Sequence, residues 1–160
     1  MNKKLNISFM KKTLFVLLTF VALVAGDRAS AQFRSIPGVV TDSFKVRYPT
    51  ATDVNWSDKV SAFQATFKQN GETFTTRYTK EGHWMYSTKK IAKDAMPAPV
   101  KDGLSKSKYA GAEWEIRSVT VSYLPGNVTQ YTIQVAKSDL QKKNLLFSSE
   151  GQLLKDNATL

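Results

Sequence analysis

Side chains that commonly carry catalysis or bind metals are few in this chain. Among its 160 residues there is one His and no Cys. The lack of Cys excludes disulfides, thiolate zinc sites, thiolate-bound iron–sulfur clusters and Cys nucleophiles, and a single imidazole excludes sites that need two. His83 follows a glycine turn and precedes Trp84. We expect it at the surface, where a catalytic or metal role would need converging partners.

The carboxylates are scattered along the sequence and show no ligand spacing. A calcium loop of the D-x-D-x-D-G type is not present. The sequence therefore predicts no metal and no cofactor. A small periplasmic enzyme remains an alternative if folding brings carboxylates together, and the candidates are Asp53, Asp58, Asp94, Asp102, Glu113 and Glu115.

A better candidate site is the polar face of one predicted hairpin. Thr, Gln and basic side chains would form a flat, cationic patch there, which favours an acidic protein or peptide. The alternative is an ordinary solvated sheet face. Most aromatic residues are expected in the core, but Trp and Tyr are enriched at interfaces, so Trp56 and Tyr86 are predicted to reach the partner. The polar positions are Gln64, Thr66, Lys68, Thr73, Thr75 and Arg77.

This hairpin is the clearest local pattern in the chain. Residues 61–69 alternate between apolar and polar, Asn70-Gly71 is a strong two-residue turn signal, and residues 72–79 alternate in return. A two-residue turn would pair Phe67 with Phe74, and the same register would put the polar positions opposite one another. After a turn at residues 80–82, residues 83–88 predict a strand with Trp84 and Tyr86 on one face.

The pattern from Ser35 to Ser87 recurs from Met96 to Asp156. Pro37, Val40 and Phe44 find counterparts 60 residues later. Each copy predicts a short helix followed by about four antiparallel strands. Ser35 is the predicted cap of the first helix, and Pro49 ends it. Residues 89–95 are a linker or a short helix extension, and a β-bulge is expected near residues 117–118. The predicted fold class is α+β, with two tandem helix-plus-four-strand repeats (32–90 and 91–160) in one structural unit. They form one antiparallel sheet with the helices on one face and the other face open.

Residues 1–31 have the features of a cleaved signal peptide. A basic stretch containing Lys11 and Lys12 precedes the apolar run 13–25, and Ala29-Ser30-Ala31 provides a cleavage site before Gln32. The alternative is an uncleaved anchor, and the start is either Met1 or Met10. Part of the net charge of +10 belongs to this leader, so the charge does not indicate nucleic-acid binding. We expect a periplasmic or secreted protein with no membrane span after cleavage and no lipid-bearing Cys; the oligomeric state stays open.

The order of these motifs resembles the PepSY-like domains of secreted bacterial proteins described as β-lactamase-inhibitor-like. Residues 36–40, 48–51, 54–56, 63–67, 70–71 and 81–84 carry the resemblance in the first half, and residues 96–100, 109–112 and 150–153 in the second. It implies tandem helix-plus-sheet repeats, a periplasmic or secreted location and binding without catalysis, but not inhibition of a β-lactamase. Together with the sequence patterns, it leads us to expect an exported, non-enzymatic binding module, inhibitor-like in type, that binds a protein or peptide of the cell envelope through the open sheet face. The alternative is recognition of extended peptides by pairing at a sheet edge.

Overall fold

The computed structural model describes residues 35–159, and the predicted signal peptide and its cleavage site lie outside them. Within residues 35–159 there are two α-helices, α1 (Gly38–Arg47) and α2 (Ala98–Ser105). A short 3₁₀ turn, Pro125–Asn127, joins the fifth and sixth strands. The strands are β1 (Thr52–Asp58), β2 (Phe63–Gln69), β3 (Glu72–Tyr78), β4 (Trp84–Ile91), β5 (Glu115–Leu124), β6 (Val128–Ala136), β7 (Lys142–Ser148) and β8 (Leu153–Thr159).

The strands form one eight-stranded sheet in which spatial order follows chain order. Every neighbouring pair is antiparallel. The register predicted for β2 and β3 is confirmed, with Phe67 opposite Phe74 and Thr66 opposite Thr75. Asn70 and Gly71 both have left-handed backbone angles, as a tight hairpin turn requires. The bulge predicted near residues 117–118 is also confirmed, since the β5–β6 register shifts between Ile116 and Ser118.

Both helices cover the same face of this sheet. On α1, Val40 and Phe44 are buried against Phe67 and Tyr78. On α2, Val100 and Leu104 are buried in a second cluster with strand residues of β5, β6 and β7. The registers place the strand members of both clusters on one side. This side holds the core, and neither helix of residues 35–159 lies on the other side.

The predicted fold class is wrong. Eight strands of 7 to 10 residues stand against helices of only 10 and 8 residues. The fold is therefore mostly β rather than a balanced α+β arrangement of two helix-plus-four-strand repeats. The apolar spacing that predicted each helix spans only two or three turns, because Pro49 and the polar residues after Ser105 end them.

Three local predictions need correction as well. Ser35 does not cap α1, whose N-cap is Pro37 without a side-chain hydrogen bond. The predicted linker begins too early, since β4 continues to Ile91. Trp84 and Tyr86 do not share a face, because a register shift in the β3–β4 pair puts Trp84 opposite Tyr78 but Tyr86 opposite Arg77. The extra residue of this bulge turns one aromatic side chain inward and leaves the other on the open side.

Each helix lies directly against the backbone of a strand turn. A Cβ on Gly151, in the β7–β8 turn, would lie 2.0 Å from the carbonyl oxygen of Pro99, and one on Gly82, in the β3–β4 turn, would lie 2.8 Å from that of Val39. Both glycines also have left-handed backbone angles. The helices therefore approach the sheet at points where only glycine fits.

Candidate functional site

The side of the sheet without helices, called the open face here, presents a row of short polar side chains. Directly opposed residues continue this polar row through β1 to β7. Because opposed side chains on one face lie about 5 Å apart, the row is a continuous surface strip. Its members are Asn55, Thr66, Thr75, Thr88, Ser122, Gln130 and Ser148.

The structure brings together all but one of the predicted binding residues. On the open face, Gln64 is opposite Arg77, Thr66 opposite Thr75, and Lys68 opposite Thr73. Tyr86 joins them next to Arg77, whose guanidinium carbon is 5.7 Å from the centre of the Tyr86 ring. These seven residues form the hairpin patch.

Trp56 is the exception. It lies opposite Ala65 and therefore on the helix-covered side. Its ring centre is 5.3 Å from that of Phe44 in an edge-to-face arrangement, where it packs against the core cluster of α1. Trp56, which the sequence predicts to reach the partner, therefore does not lie on the open face, because a β-strand alternates faces at every residue and Trp56 falls on the apolar parity.

Hydrogen bonds and one ion pair organise the hairpin patch. Nε of Arg77 donates to Oε1 of Gln64 at 3.0 Å. Nζ of Lys68 is 2.8 Å from Oδ2 of Asp53, and the hydrogen bond to this carboxylate raises the pKa of Lys68. Among the ion pairs of residues 35–159, none involves Arg77. The patch therefore keeps an unneutralised guanidinium whose donors are held in place by Gln64.

The open face is large enough for a protein partner. With strands about 4.8 Å apart and a rise of about 3.3 Å per residue, eight strands of about seven residues span roughly 34 by 23 Å. This is about 800 Å², close to what one partner contributes to a standard protein interface. The basic side chains of this face lie in β2, β3 and β4, so this part of the face is cationic. They are Lys68, Arg77 and Lys90.

The sequence did not predict that the polar row continues beyond the hairpin. Thr88, Ser122 and Gln130 extend the surface from the hairpin into β4, β5 and β6. The signal was present, because Thr120 and Ser122 alternate with the buried Val119 and Val121 in β5. Only the pairing of β4 with β5, which no turn signal specifies, shows that these positions continue the row.

The two edges of the sheet differ in their suitability for adding a strand. In β1 the register is interrupted between Thr52 and Asn55, and Asp53 has a left-handed backbone angle. A bulge of this kind blocks edge-to-edge pairing. The β8 edge contains a lysine, Lys155, directly after the exposed Leu154. The β1 edge thus counts against peptide recognition by edge pairing.

The carboxylates do not gather into an acidic site. Hydrogen bonds from Thr79, Ser149 and Tyr109 lower the pKa values of Glu81, Glu150 and Asp156 respectively. Within residues 35–159, no group of three potential metal-ligating side chains occurs. The same part of the chain contains no helix long and apolar enough to cross a membrane. A large pKa shift occurs in the core instead, where burial raises the pKa of the Tyr78 hydroxyl to about 12.

Comparison with known proteins gives structural relatives only. No protein-family model and no curated protein matches the chain. A DUF2874 family protein from Bacteroides ovatus is 27% identical, covers 78% of this chain and 88% of its own, and superimposes with a TM-score of 0.72. A protein from Bacteroides eggerthii, whose description places it provisionally in the periplasm, is 25% identical, with coverages of 78% and 89% and a TM-score of 0.70.

A third solved structure identifies the architecture. A BLIP-like protein from Bacteroides fragilis is 21% identical, covers 81% of this chain and 90% of its own, and has a TM-score of 0.73. At this identity the likeness shows the fold and nothing more. It confirms the β-lactamase-inhibitor-like part of the sequence resemblance, while the PepSY part and the tandem repeat are not shown. The eight-stranded sheet with two short helices on one face is a BLIP-like fold.

Proposed function

We propose that this chain is an exported, non-enzymatic binding module of the bacterial envelope that holds a protein partner against its open face. The observation that carries the proposal is the polar row, which runs through seven strands and is bordered by the unneutralised Arg77. Periplasmic location is supported by the predicted signal peptide and by the description of the B. eggerthii neighbour. The PepSY-like part of the resemblance and an inhibitor-like activity remain predictions.

The chemistry of the open face favours an acidic partner. Short hydroxyl side chains lose little conformational entropy on binding, and the hydroxyl and amide groups together offer both donors and acceptors. Arg77 adds a planar donor group that suits carboxylates, and Tyr86 beside it is the type of side chain that anchors interfaces. The partner we propose is therefore a protein or peptide whose carboxylates meet the β2–β4 end of the face.

The test is capture of envelope proteins by the purified chain, residues 32–160, with and without a reversed charge on the open face. The variant carries Thr66→Glu, Lys68→Glu, Thr75→Glu and Arg77→Glu. We expect a specific partner to be captured by the parent chain and lost from the variant, because carboxylates would then oppose carboxylates.

A control variant separates site from net charge. Lys59→Glu, Lys80→Glu and Lys93→Glu produce the same total change in charge at exposed positions outside the open face. Retention of the partner by this control would assign the loss to the open face. Equal loss in both variants, or retention in the open-face variant, would contradict the proposal.

A further inference from the structure

The helix-covered side of the sheet contains a cleft that the proposed function does not use. It lies between the C-terminal end of α1 and the turn that joins β5 to β6, and its volume is about 750 Å³. This is within the range of small-molecule sites, which hold roughly 300 to 1,000 Å³. We call it the central cleft, since β3, β4 and β5 in the middle of the sheet supply its floor.

The walls of the central cleft are aromatic. Phe74, Trp84 and Tyr123 come from three neighbouring strands, and Tyr48 lies at the end of α1. Each is only partly buried, so ring surface remains available to a ligand. Flat apolar groups stack well against such rings.

One cation stands at the mouth of the cleft. The guanidinium carbon of Arg47 lies 3.6 Å from the centre of the Trp84 ring. Stacking of this kind occupies the flat face of the guanidinium and leaves its N–H groups free at the edge, where they can bind an oxyanion. Within residues 35–159, Arg47 takes part in no ion pair. No Asp or Glu of this part of the chain lines the cleft, and His83 is the other basic side chain among its lining residues.

A buried network of hydroxyl groups fixes the cleft floor. Thr76 Oγ1 donates to the carbonyl oxygen of Tyr86 at 3.1 Å, and Ser87 Oγ donates to Thr76 Oγ1 at 2.8 Å. The single proton of Ser87 is then committed, so Tyr48 must donate to Ser87 Oγ, at 2.5 Å. Nε1 of Trp84 also donates to Ser87 Oγ, at 2.8 Å. Two cleft rings are thereby held in one position before any ligand arrives, which lowers the entropy cost of binding.

We propose that the central cleft binds a small organic anion, one that carries an oxyanion group on a flat aromatic body. The oxyanion would meet the edge of the Arg47 guanidinium, and the flat body would lie against Trp84, Tyr48 and Tyr123. The free charge and the absence of a lining carboxylate favour an anion, and the fixed, partly exposed rings favour a flat aromatic body. A cation would be repelled by the guanidinium. The proposal is independent of the open face, which lies on the other side of the sheet.

Two probes that differ only in the anionic group test this inference. 1-Anilinonaphthalene-8-sulfonate carries a sulfonate on a flat aromatic body, and N-phenyl-1-naphthylamine is the same body without it. We expect one saturable site for the sulfonate on the folded chain, residues 32–160, measured by fluorescence titration. Arg47→Gln should weaken sulfonate binding about tenfold or more, because a charge-assisted contact is lost, and should not weaken binding of the neutral probe, which makes no such contact.

Arg77→Gln is the matched control, since it removes the same charge from the open face. It should leave the affinity for both probes as in the parent chain. Amide chemical shifts should change in residues 123–129 and at the Trp84 indole on addition of the sulfonate. Absence of saturable binding, equal effects of the two arginine variants, or shifts confined to the polar row would overturn the proposal. None of these outcomes bears on partner capture by the open face, so the two proposals fail separately.

Discussion

Removal of one hydroxyl group, in Ser87→Ala, should destabilise this protein far more than a serine-to-alanine change normally does. Ser87 has 1% of its surface exposed, and its Oγ atom makes three hydrogen bonds, to Tyr48, Trp84 and Thr76. Alanine fills nearly the same space but leaves two donors without their acceptor. The perturbation is therefore electrostatic, with little change in packing.

The expected loss follows from the number of bonds. A buried hydrogen bond contributes about 1 kcal/mol net, which gives about 3 kcal/mol for three. Tyr48 and Trp84 are partly exposed, so water can satisfy part of what is lost, while Thr76 retains its bond to the Tyr86 carbonyl. We therefore expect a decrease of about 2 to 3 kcal/mol in the free energy of unfolding.

Equilibrium unfolding in urea measures this loss. With a slope of about 2 kcal/mol per molar urea, typical of a small domain, the midpoint should fall by about 1 to 1.5 M. Ser122→Ala is the control. Ser122 lies in the polar row on the opposite face, and its side chain makes no hydrogen bond within residues 35–159. Its effect should stay within about 0.5 kcal/mol.

A double-mutant cycle makes the test specific to the network. Tyr48→Phe alone should cost about 1 kcal/mol, but should cost almost nothing in the Ser87→Ala background, where its acceptor is already gone. If Ser87→Ala and Ser122→Ala have equal effects, or if the Tyr48 and Ser87 substitutions are additive, the reasoning about the hydroxyl network is refuted.

Three further predictions concern the helix contacts, the carboxylates and the core. Gly71→Ala should lower the free energy of unfolding by about 1 kcal/mol, because the backbone angle is left-handed but the added Cβ meets no atom. Gly151→Ala should cost about 3 kcal/mol or more and Gly82→Ala an intermediate amount, since both add a clash with helix backbone. Unfolding in urea should give this order. The hydrogen bond from Tyr109 lowers the pKa of Asp156 in the folded state. The stabilisation by the ionised carboxylate is therefore present above about pH 4 and is lost as the pH falls through the pKa of the folded state. Asp156→Asn should lower the melting temperature at pH 7 and have a smaller effect at pH 3. Tyr78→Phe should be neutral or stabilise by up to about 1 kcal/mol in urea unfolding, because the buried Tyr78 hydroxyl has no hydrogen-bond partner within residues 35–159.

The sequence predicts the register of β2 and β3 correctly because its determinants are local. Asn70-Gly71 sets the turn, the alternation of residues 61–79 sets the faces, and both signals require the same register. No long-range information is needed to place Thr66 opposite Thr75. The same reasoning fails for the fold class, because apolar spacing predicts that helices exist but does not weigh two or three turns of helix against eight strands.

The central cleft could not be predicted, for a physical reason that also explains how it forms. Its parts come from the end of α1, from β4 and from the β5–β6 turn, which are far apart in the sequence. Strict alternation would put Trp84 and Tyr86 on the same side. The bulge in β4 separates them, so that Tyr86 stays beside Arg77 on the open face while Trp84 turns inward to Ser87 and Arg47. One inserted residue thus supplies an aromatic side chain to each of the two proposed sites.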